Sequence, residues 1–326
     1  MRFRNRLHGL LLTACFALMP ALAHAAEAYP SKPVRIVVGF PASGMSDNLA
    51  RALAVALSKQ LGQQVLIDNK PGAGTTIAAD NVAKSPPDGY TLFMQDLTSH
   101  AINASLYAKL PYDPVTDFTP LTLVAVTPLV MVVTPSSGIE SVKDLIARAK
   151  AKPGGLNYGS SGIGTILHLS GELFKQRTGV DLNHVPYKGA TGATTAMLGG
   201  EIQVTFATTP TAVSLVNGGK VKALAVTETK RTSALPDVPT MQEAGVRDYN
   251  VALYNGVLAP AGLPANLQSR LRDEIIKAMQ APEVKRFYET VSAEAITSTP
   301  EQVTAHMRAE IKKYGELVKA SGARAE

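Results

Sequence analysis

Cysteine is almost absent from this chain: Cys15 stands alone. It falls in a segment that reads as a removable leader. Arg2, Arg4 and Arg6 make a basic start, the uncharged run "LHGLLLTACFALMPALA" follows, and Ala23-His24-Ala25 offers a small-x-small cleavage site. Cleavage after Ala25 is expected, and the remaining chain then has no cysteine. Disulfides, thiolate metal sites and cysteine nucleophiles are thereby excluded. The apolar run is short for a membrane span. "LTAC" resembles a lipoprotein signal, but the strongly apolar stretch after Cys15 is unlike a lipoprotein tether, so ordinary export is expected.

Other features are missing too. There is no run of Lys or Arg, and loss of the three leader arginines takes the formal net charge from +6 to +3. That weak basicity makes no case for nucleic acid. The signatures G-x-S-x-G, S-x-x-K and H-E-x-x-H do not occur. His100, His168, His184 and His306 show no metal-ligand spacing. "GAGTTI" after "VLIDNK" approaches a dinucleotide-binding loop, yet Ile77 stands where Gly or Ala belongs. No catalytic machinery, metal or cofactor is expected.

What is present alternates regularly between strand and helix signals. "VRIVVGF" (34–40) is a buried-strand run between Pro33 and Pro41. A Ser/Gly loop follows, then a helix with Leu49, Leu53, Leu57 and Leu61 on one face, stopping at Gly62. "QVLIDNK" makes the next strand and leads into "KPGAGTTIAA" and another helix. About 120 residues later the order recurs. "LNYGSSGIGT" is strand then Ser/Gly loop, a helix carries Ile166, Leu169, Leu173 and Phe174 to Gly179, "VDLNHVPYK" is a strand, and "KGATGATTAM" parallels "KPGAGTTIAA". Two similar βαβα lobes are expected. The roughly 300 residues after the leader are long enough for two such cores.

The apolar runs at 120–135 and 249–264 read as two crossings between lobes. They return the last helices, 265–279 and 301–320, to the first lobe. The expected fold is therefore α/β, a two-lobed clamshell with two crossing hinge strands. Residues 26–127 and 253–326 form lobe 1, and residues 128–252 form lobe 2. Gly-rich loops at the carboxyl ends of parallel strands then face each other across a cleft that closes by hinge motion.

The loops suggest what the cleft holds. Unpaired N–H groups at a helix start, together with the helix field, attract an anionic oxygen. Each hydrogen bond to a charged group is worth roughly 1.5–3 kcal/mol, so four to six donors support micromolar binding, about −8 kcal/mol. Pro41, Ala42, Ser43, Gly44, Met45 and Ser46 form the first candidate cradle. Ser160, Ser161, Gly162, Gly164 and Thr165 form the second. The alternative for each is a tight strand-to-helix turn and nothing more. Small residues let a ligand approach the backbone, so a Gly44→Val change is expected to block binding. Asp47 is read as accepting loop N–H groups and fixing the turn. Gln95, Asp96, Thr98 and Ser99 follow a strand and reach the cleft unless their loop is solvated. Ala207 and Thr208 end another strand. His168, one turn into its helix, is either a ligand contact or a structural histidine, and Tyr187 and Lys188 lie at a strand end on the cleft side. A cleft-facing Asp96 would favour a monocarboxylate or a polar-substituted acid over citrate.

At these residues the chain resembles the Bug receptors, the extracytoplasmic solute-binding proteins of tripartite tricarboxylate transporters. The resemblance runs through "YPSKPVRIVVGFPASGMSDNLAR", "NKPGAGTTIAADNVAKSPPDGYTLFM", "LPYDPVTDFTPL", "LNYGSSGIGTILHLSGELFKQRTGVDLNHVPYKG", "GKVKALAVTETKRTSALPDVPTMQEAG" and "GVLAPAGLP". It implies a monomeric periplasmic binding protein of type II clamshell architecture that grips a small organic acid, largely through main-chain groups and water. The partners it implies are inner-membrane permease subunits. The chain departs from the family pattern at Ser43 in place of a glycine, at Gln95-Asp96 in place of small residues, and at Ala207 in place of an aspartate. An exported enzyme or a ligand sensor using the same cleft is the alternative to a transport receptor.

Overall fold

The computed structural model describes residues 29–325; the expected leader, residues 1–25, lies outside them. β1 (Val34–Val38) sends Val34, Ile36 and Val38 into one apolar cluster and Val37 into another. A strand buried on both faces needs helices on both faces. They come from α1 (Met45–Leu61), α2 (Thr76–Ala83) and α3 (Leu97–Leu106), which alternate with β2 (Val65–Asn69) and β3 (Thr91–Asp96). α1 ends at Gly62 in the left-handed conformation, φ 66°, which glycine adopts without steric cost. β1 lies between β2 and β3 and is parallel to both.

β4 (Phe118–Val133) and α4 (Val142–Ala151) lead to a second unit with the same order. It comprises β5 (Asn157–Ser160), α5 (Ile166–Thr178), β6 (Asn183–Pro186), α6 (Ala190–Leu198), β7 (Val204–Thr208) and α7 (Thr209–Asn217). β5 is flanked by β6 and β7 and parallel to both, as β1 is by its neighbours. The repeat read in the sequence is thus a repeat of topology. β8 (Lys222–Val226), β9 (Ala252–Pro260), α8 (Ala265–Met279), α9 (Pro282–Thr290), β10 (Glu294–Ala295) and α10 (Pro300–Ser321) complete the chain.

One strand joins the two halves. From Phe118 to Pro128 β4 pairs with β9, and from Leu129 to Val133 it pairs with β7. The path β2-β1-β3-β9-β4-β7-β5-β6 therefore curls into a two-lobed α/β clamshell. The second crossing is less strand-like than its apolar run suggested: β9 begins only at Ala252, and Val251 N–H donates to Thr227 O at 3.0 Å.

The C-terminal helix also departs from expectation. α10 packs on α3 in the first half and on α5 in the second. Tyr314, Leu317, Val318 and Ala323 are buried in the same cluster as Leu169, Leu173 and Phe174. Its late turns carry an apolar stripe wide enough to touch both lobes, so it spans them where a return to the first lobe alone was expected.

Candidate functional site

The carboxyl ends of β1, β2, β3, β5 and β6 converge on one cavity of about 920 Å³ between the two halves. Phe40, Met45, Ser46, Gly74, Thr75 and Asp96 form its floor and one wall, continued by Ser99, Ile102, Asn103, Leu106 and Tyr107 of α3 and the residue after it. Ser161, Ile163, Gly164, Thr165 and Ile166 face them from the second half, with Pro186, Tyr187 and Lys188 beside. Leu253 and Asn255 of β9 and the tail residues Arg324 and Ala325 complete the lining. Much of the wall is apolar, and polar donors stand at its base.

The first loop is held from behind. Asp47, fully buried, accepts Ser43 N–H at 2.8 Å, Arg51 Nε at 2.9 Å and Asn69 Nδ2 at 2.9 Å. Burial pushes its carboxyl up, but the hydrogen bonds from Arg51, Asn69 and Ser43 outweigh burial and hold it below the usual range. No side chain caps α1 at Gly44. The first-turn N–H groups of Met45 and Ser46 are therefore left over where both residues line the cleft.

The second loop rests on a buried polar stack. Ser160 Oγ lies 2.7 Å from His184 Nε2 and accepts Gly162 N–H at 3.2 Å. Gly164 N–H donates to His168 Nδ1 at 3.0 Å. The two imidazoles stack 4.0 Å apart, and Tyr158 stacks on His184. Behind them Glu172 accepts from Tyr158 at 2.6 Å and from Lys175 at 2.9 Å. Because Nδ1 of His168 is an acceptor, the ring is neutral in this arrangement, and burial lowers its basicity accordingly.

The sequence candidates therefore divide. Met45, Ser46, Asp96, Ser161, Gly164 and Thr165 line the cleft. Pro41, Ala42 and Ser43 are exposed away from it, and Gly44 serves as the α1 N-cap residue. Ser160, Gly162 and His168 support the second loop from behind and do not line the cavity. Gln95 is buried against Thr75, and Thr98 Oγ donates to Ala252 O at 3.0 Å, tying α3 to β9. Ala207 is packed in the second-half core, and Thr208 pairs with Thr211. These are corrections. Those set back from the lining are mostly engaged with the turns and strands around them: a polar side chain near a strand end pairs with buried backbone or a neighbouring hydroxyl before it reaches a ligand.

Asp96 is buried at the cleft wall, so it does not lie in a solvated loop. It caps α3, accepting Thr98 N–H at 3.0 Å and Ser99 Oγ–H at 2.6 Å. Desolvation pushes its carboxyl up despite those bonds. With both oxygens engaged at a helix start, it discriminates less against a second carboxylate than a free carboxylate would.

Several lining residues went unread in the sequence. Asn255 interrupts an apolar strand, and its Oδ1 accepts Ser46 Oγ–H at 2.7 Å; a lone amide in a buried run was the available signal. Thr75 sits in the "KPGAGTT" segment, weighed only as a dinucleotide loop. Leu106 and Arg324 had no local signal at all.

Buried histidines set an acid limit on this site. Burial lowers His100 to about 4, and burial next to His168 lowers His184 to about 4. An unfolded histidine binds its proton near 6.5, so the stabilisation is complete above that pH and is lost as pH falls towards 4. For fully buried His100 this amounts to about 3 kcal/mol. Asp96 works in the opposite sense, but burial lowers His168 and His306 as well, and these add to the loss. The melting temperature is expected to fall steadily from pH 7 to pH 4.5 in scanning fluorimetry; a flat profile would contradict the neutral, buried assignment.

The family described as tripartite tricarboxylate transporter family receptor matches residues 49–323. Protein BugT of Bordetella pertussis is 34% identical over 300 residues, 92% of each chain. A Rhodopseudomonas palustris protein solved with adipate is 37% identical, with TM-score 0.77, covering 91% of this chain and 99% of that one. MatC of the same organism, solved with bound malate, is 29% identical with TM-score 0.74, covering 89% of this chain and 100% of its own. The matched family is one of transporter receptors.

Proposed function

Because the chain belongs to the tripartite tricarboxylate transporter receptor family, we propose that its cleft captures a small organic carboxylate in the periplasm and delivers it to membrane permease subunits. One observation carries this reading: the uncapped first turn of α1 opens into an apolar-walled cavity opposite the second Gly-rich loop. Free N–H donors and the positive helix end suit a carboxylate, and the apolar walls suit its carbon skeleton. Met45, Ser46, Ser161, Gly164 and Thr165 are the ligand-gripping positions. Adipate and malate in the two neighbours are ligands of this class.

The hinge lies where β4 changes partners, between Pro128 and Leu129. Residues 26–127 and 253–326 then move as one lobe and residues 128–252 as the other, in a monomer. The test is a thermal-shift screen of purified protein against mono-, di- and tricarboxylates, followed by scattering. At least one acid is expected to raise the melting temperature and reduce the radius of gyration. A protein stabilised by neutral or cationic solutes and by no carboxylate would sink the proposal.

A further inference from the structure

Thr75 lines the cleft although it is only 2% exposed, so its open side is the cleft side. Its φ is 80°, a left-handed conformation that a β-branched residue rarely adopts. Strain of this kind persists only where surroundings hold it, and it gathers at ligand sites. The surroundings here do hold it. Thr75 N–H donates to Gly72 O at 2.9 Å, and Asn103 Nδ2 clamps Gly74 O at 2.6 Å. Gly39 leaves the space required, since a Cβ there would stand 2.7 Å from Thr75 Cβ.

Behind Thr75 runs a chain of buried polar groups whose directions are forced. Pro114 O can only accept, so His100 Nε2, 2.9 Å away, carries the ring proton. His100 is neutral, so its Nδ1 is an acceptor, and the atom of Gln95 facing it at 3.4 Å is the amide nitrogen. The same nitrogen donates to Thr75 Oγ at 2.8 Å. Gln95 Oε1 is left buried with no partner among the described residues, which marks the cost of holding the amide this way round. Thr75 Oγ therefore accepts from behind. Its own proton has no acceptor among the described residues, and the cleft is the open direction.

We propose that Thr75 is a specificity-determining donor of the cleft, held in that role by Gln95 and His100, and that it selects a ligand whose group at this point only accepts hydrogen bonds. A carboxylate oxygen fits. An ammonium or amide N–H at the same point meets a second donor and is rejected. Gln95 and His100 are positioning residues: they touch Thr75 or one another and not the ligand.

This inference rests on the carboxylate reading above, and the experiment separates the two. Wild type is titrated by calorimetry with adipate, malate, citrate and benzoate, and the tightest binder becomes the probe. Thr75→Val keeps the branched shape and removes the hydroxyl. It is expected to weaken that probe roughly ten- to hundredfold, the factor for a lost hydrogen bond to a charged group. Thr75→Ser is expected to restore affinity to within about threefold of wild type, on the same scale. Gln95→Glu turns the inner partner into an acceptor that draws the Thr75 proton away, so affinity falls although the hydroxyl remains. Gln95→Met covers the case in which a buried glutamate prevents folding; with the hydroxyl free to rotate, its affinity falls between wild type and Thr75→Val. Wild-type affinity in Thr75→Val, or a loss in Thr75→Ser equal to that in Thr75→Val, overturns the role of Thr75. Unchanged affinity in folded Gln95 variants overturns the relay. If wild type binds none of the four acids and no carboxylate of the wider screen stabilises it, the carboxylate reading itself fails, and this inference falls with it.

Discussion

Gly164→Val is expected to reduce affinity for the acid found in the screen by at least about a hundredfold, while far-ultraviolet circular dichroism stays that of wild type. The factor corresponds to about 3 kcal/mol. Gly164 has φ 76°, and a Cβ there would lie 2.5 Å from Leu106 Cδ1 and 3.2 Å from Leu106 Cγ. Leu106 ends α3 in the first half, whereas Gly164 belongs to the second-half loop, so at this glycine the two halves pack against each other across the cleft. Rotation of Leu106 relieves part of the overlap. It does nothing for the backbone, where a β-branched residue at positive φ costs about 1–3 kcal/mol. The loop then rearranges and withdraws Ile163 and Thr165 from the cleft. Gly44 is the control. Its φ is −73°, and a Cβ there meets only Pro41 O at 3.3 Å and Phe40 Cβ at 3.7 Å. Gly44→Ala is expected to leave affinity within a few fold, a milder change than the Gly44→Val exchange expected from sequence to block the ligand's approach. Tight binding by the Gly164 variant would place the ligand elsewhere.

Thr227→Val is expected to lower stability sharply. Thr227 is fully buried just after β8. Its Oγ accepts Leu129 N–H at 2.9 Å and donates to Val251 O at 2.5 Å, while its N–H donates to Leu129 O at 2.9 Å. One side chain thus ties β4, at the point where it changes partners, to the segment returning to the first lobe. Valine matches the shape but leaves a buried N–H and a buried carbonyl short of a partner. The loss is about 2–4 kcal/mol, or roughly 4–12 °C in melting temperature. Thr227→Ser keeps both bonds and recovers most of it. Equal melting temperatures for the valine variant and wild type would show that the tie contributes nothing.

The glycine and threonine in these predictions differ in how visible they were. Gly164 was legible as a loop glycine, because strand, loop and helix periodicities fall in order around it. Its neighbour Leu106 was not, since nothing in residues near 106 records what stands opposite after folding. Thr227 looked like any polar residue after an apolar strand. Only the pairing of β4 with β9 along its first part and with β7 and β8 along its last brings three backbone groups to Thr227.

Asp96 and His168 teach the same lesson from the other side. Both were reasonable ligand contacts by position, and both are committed to holding turns, Asp96 as the cap of α3 and His168 as the acceptor for Gly164 N–H. A short polar side chain near a strand end has two possible partners, the ligand and the orphan backbone groups of the turn itself. Sequence spacing places it within reach of both and does not choose.

By itself the sequence determined the leader's signature, the two βαβα units, the helix stops at Gly62 and Gly179, and the Gly-rich loops that open the cleft. All of these follow from interactions within a few residues: apolar period, capping and the backbone freedom of glycine. Only the tertiary structure decided which loop residues face the cavity. It also placed α10 across both lobes, brought Thr75, Asn255 and Arg324 to one wall, and turned the Thr75 proton outward. Those outcomes depend on contacts between segments far apart in the chain, where burial forces each polar atom to find a partner and leaves one direction open.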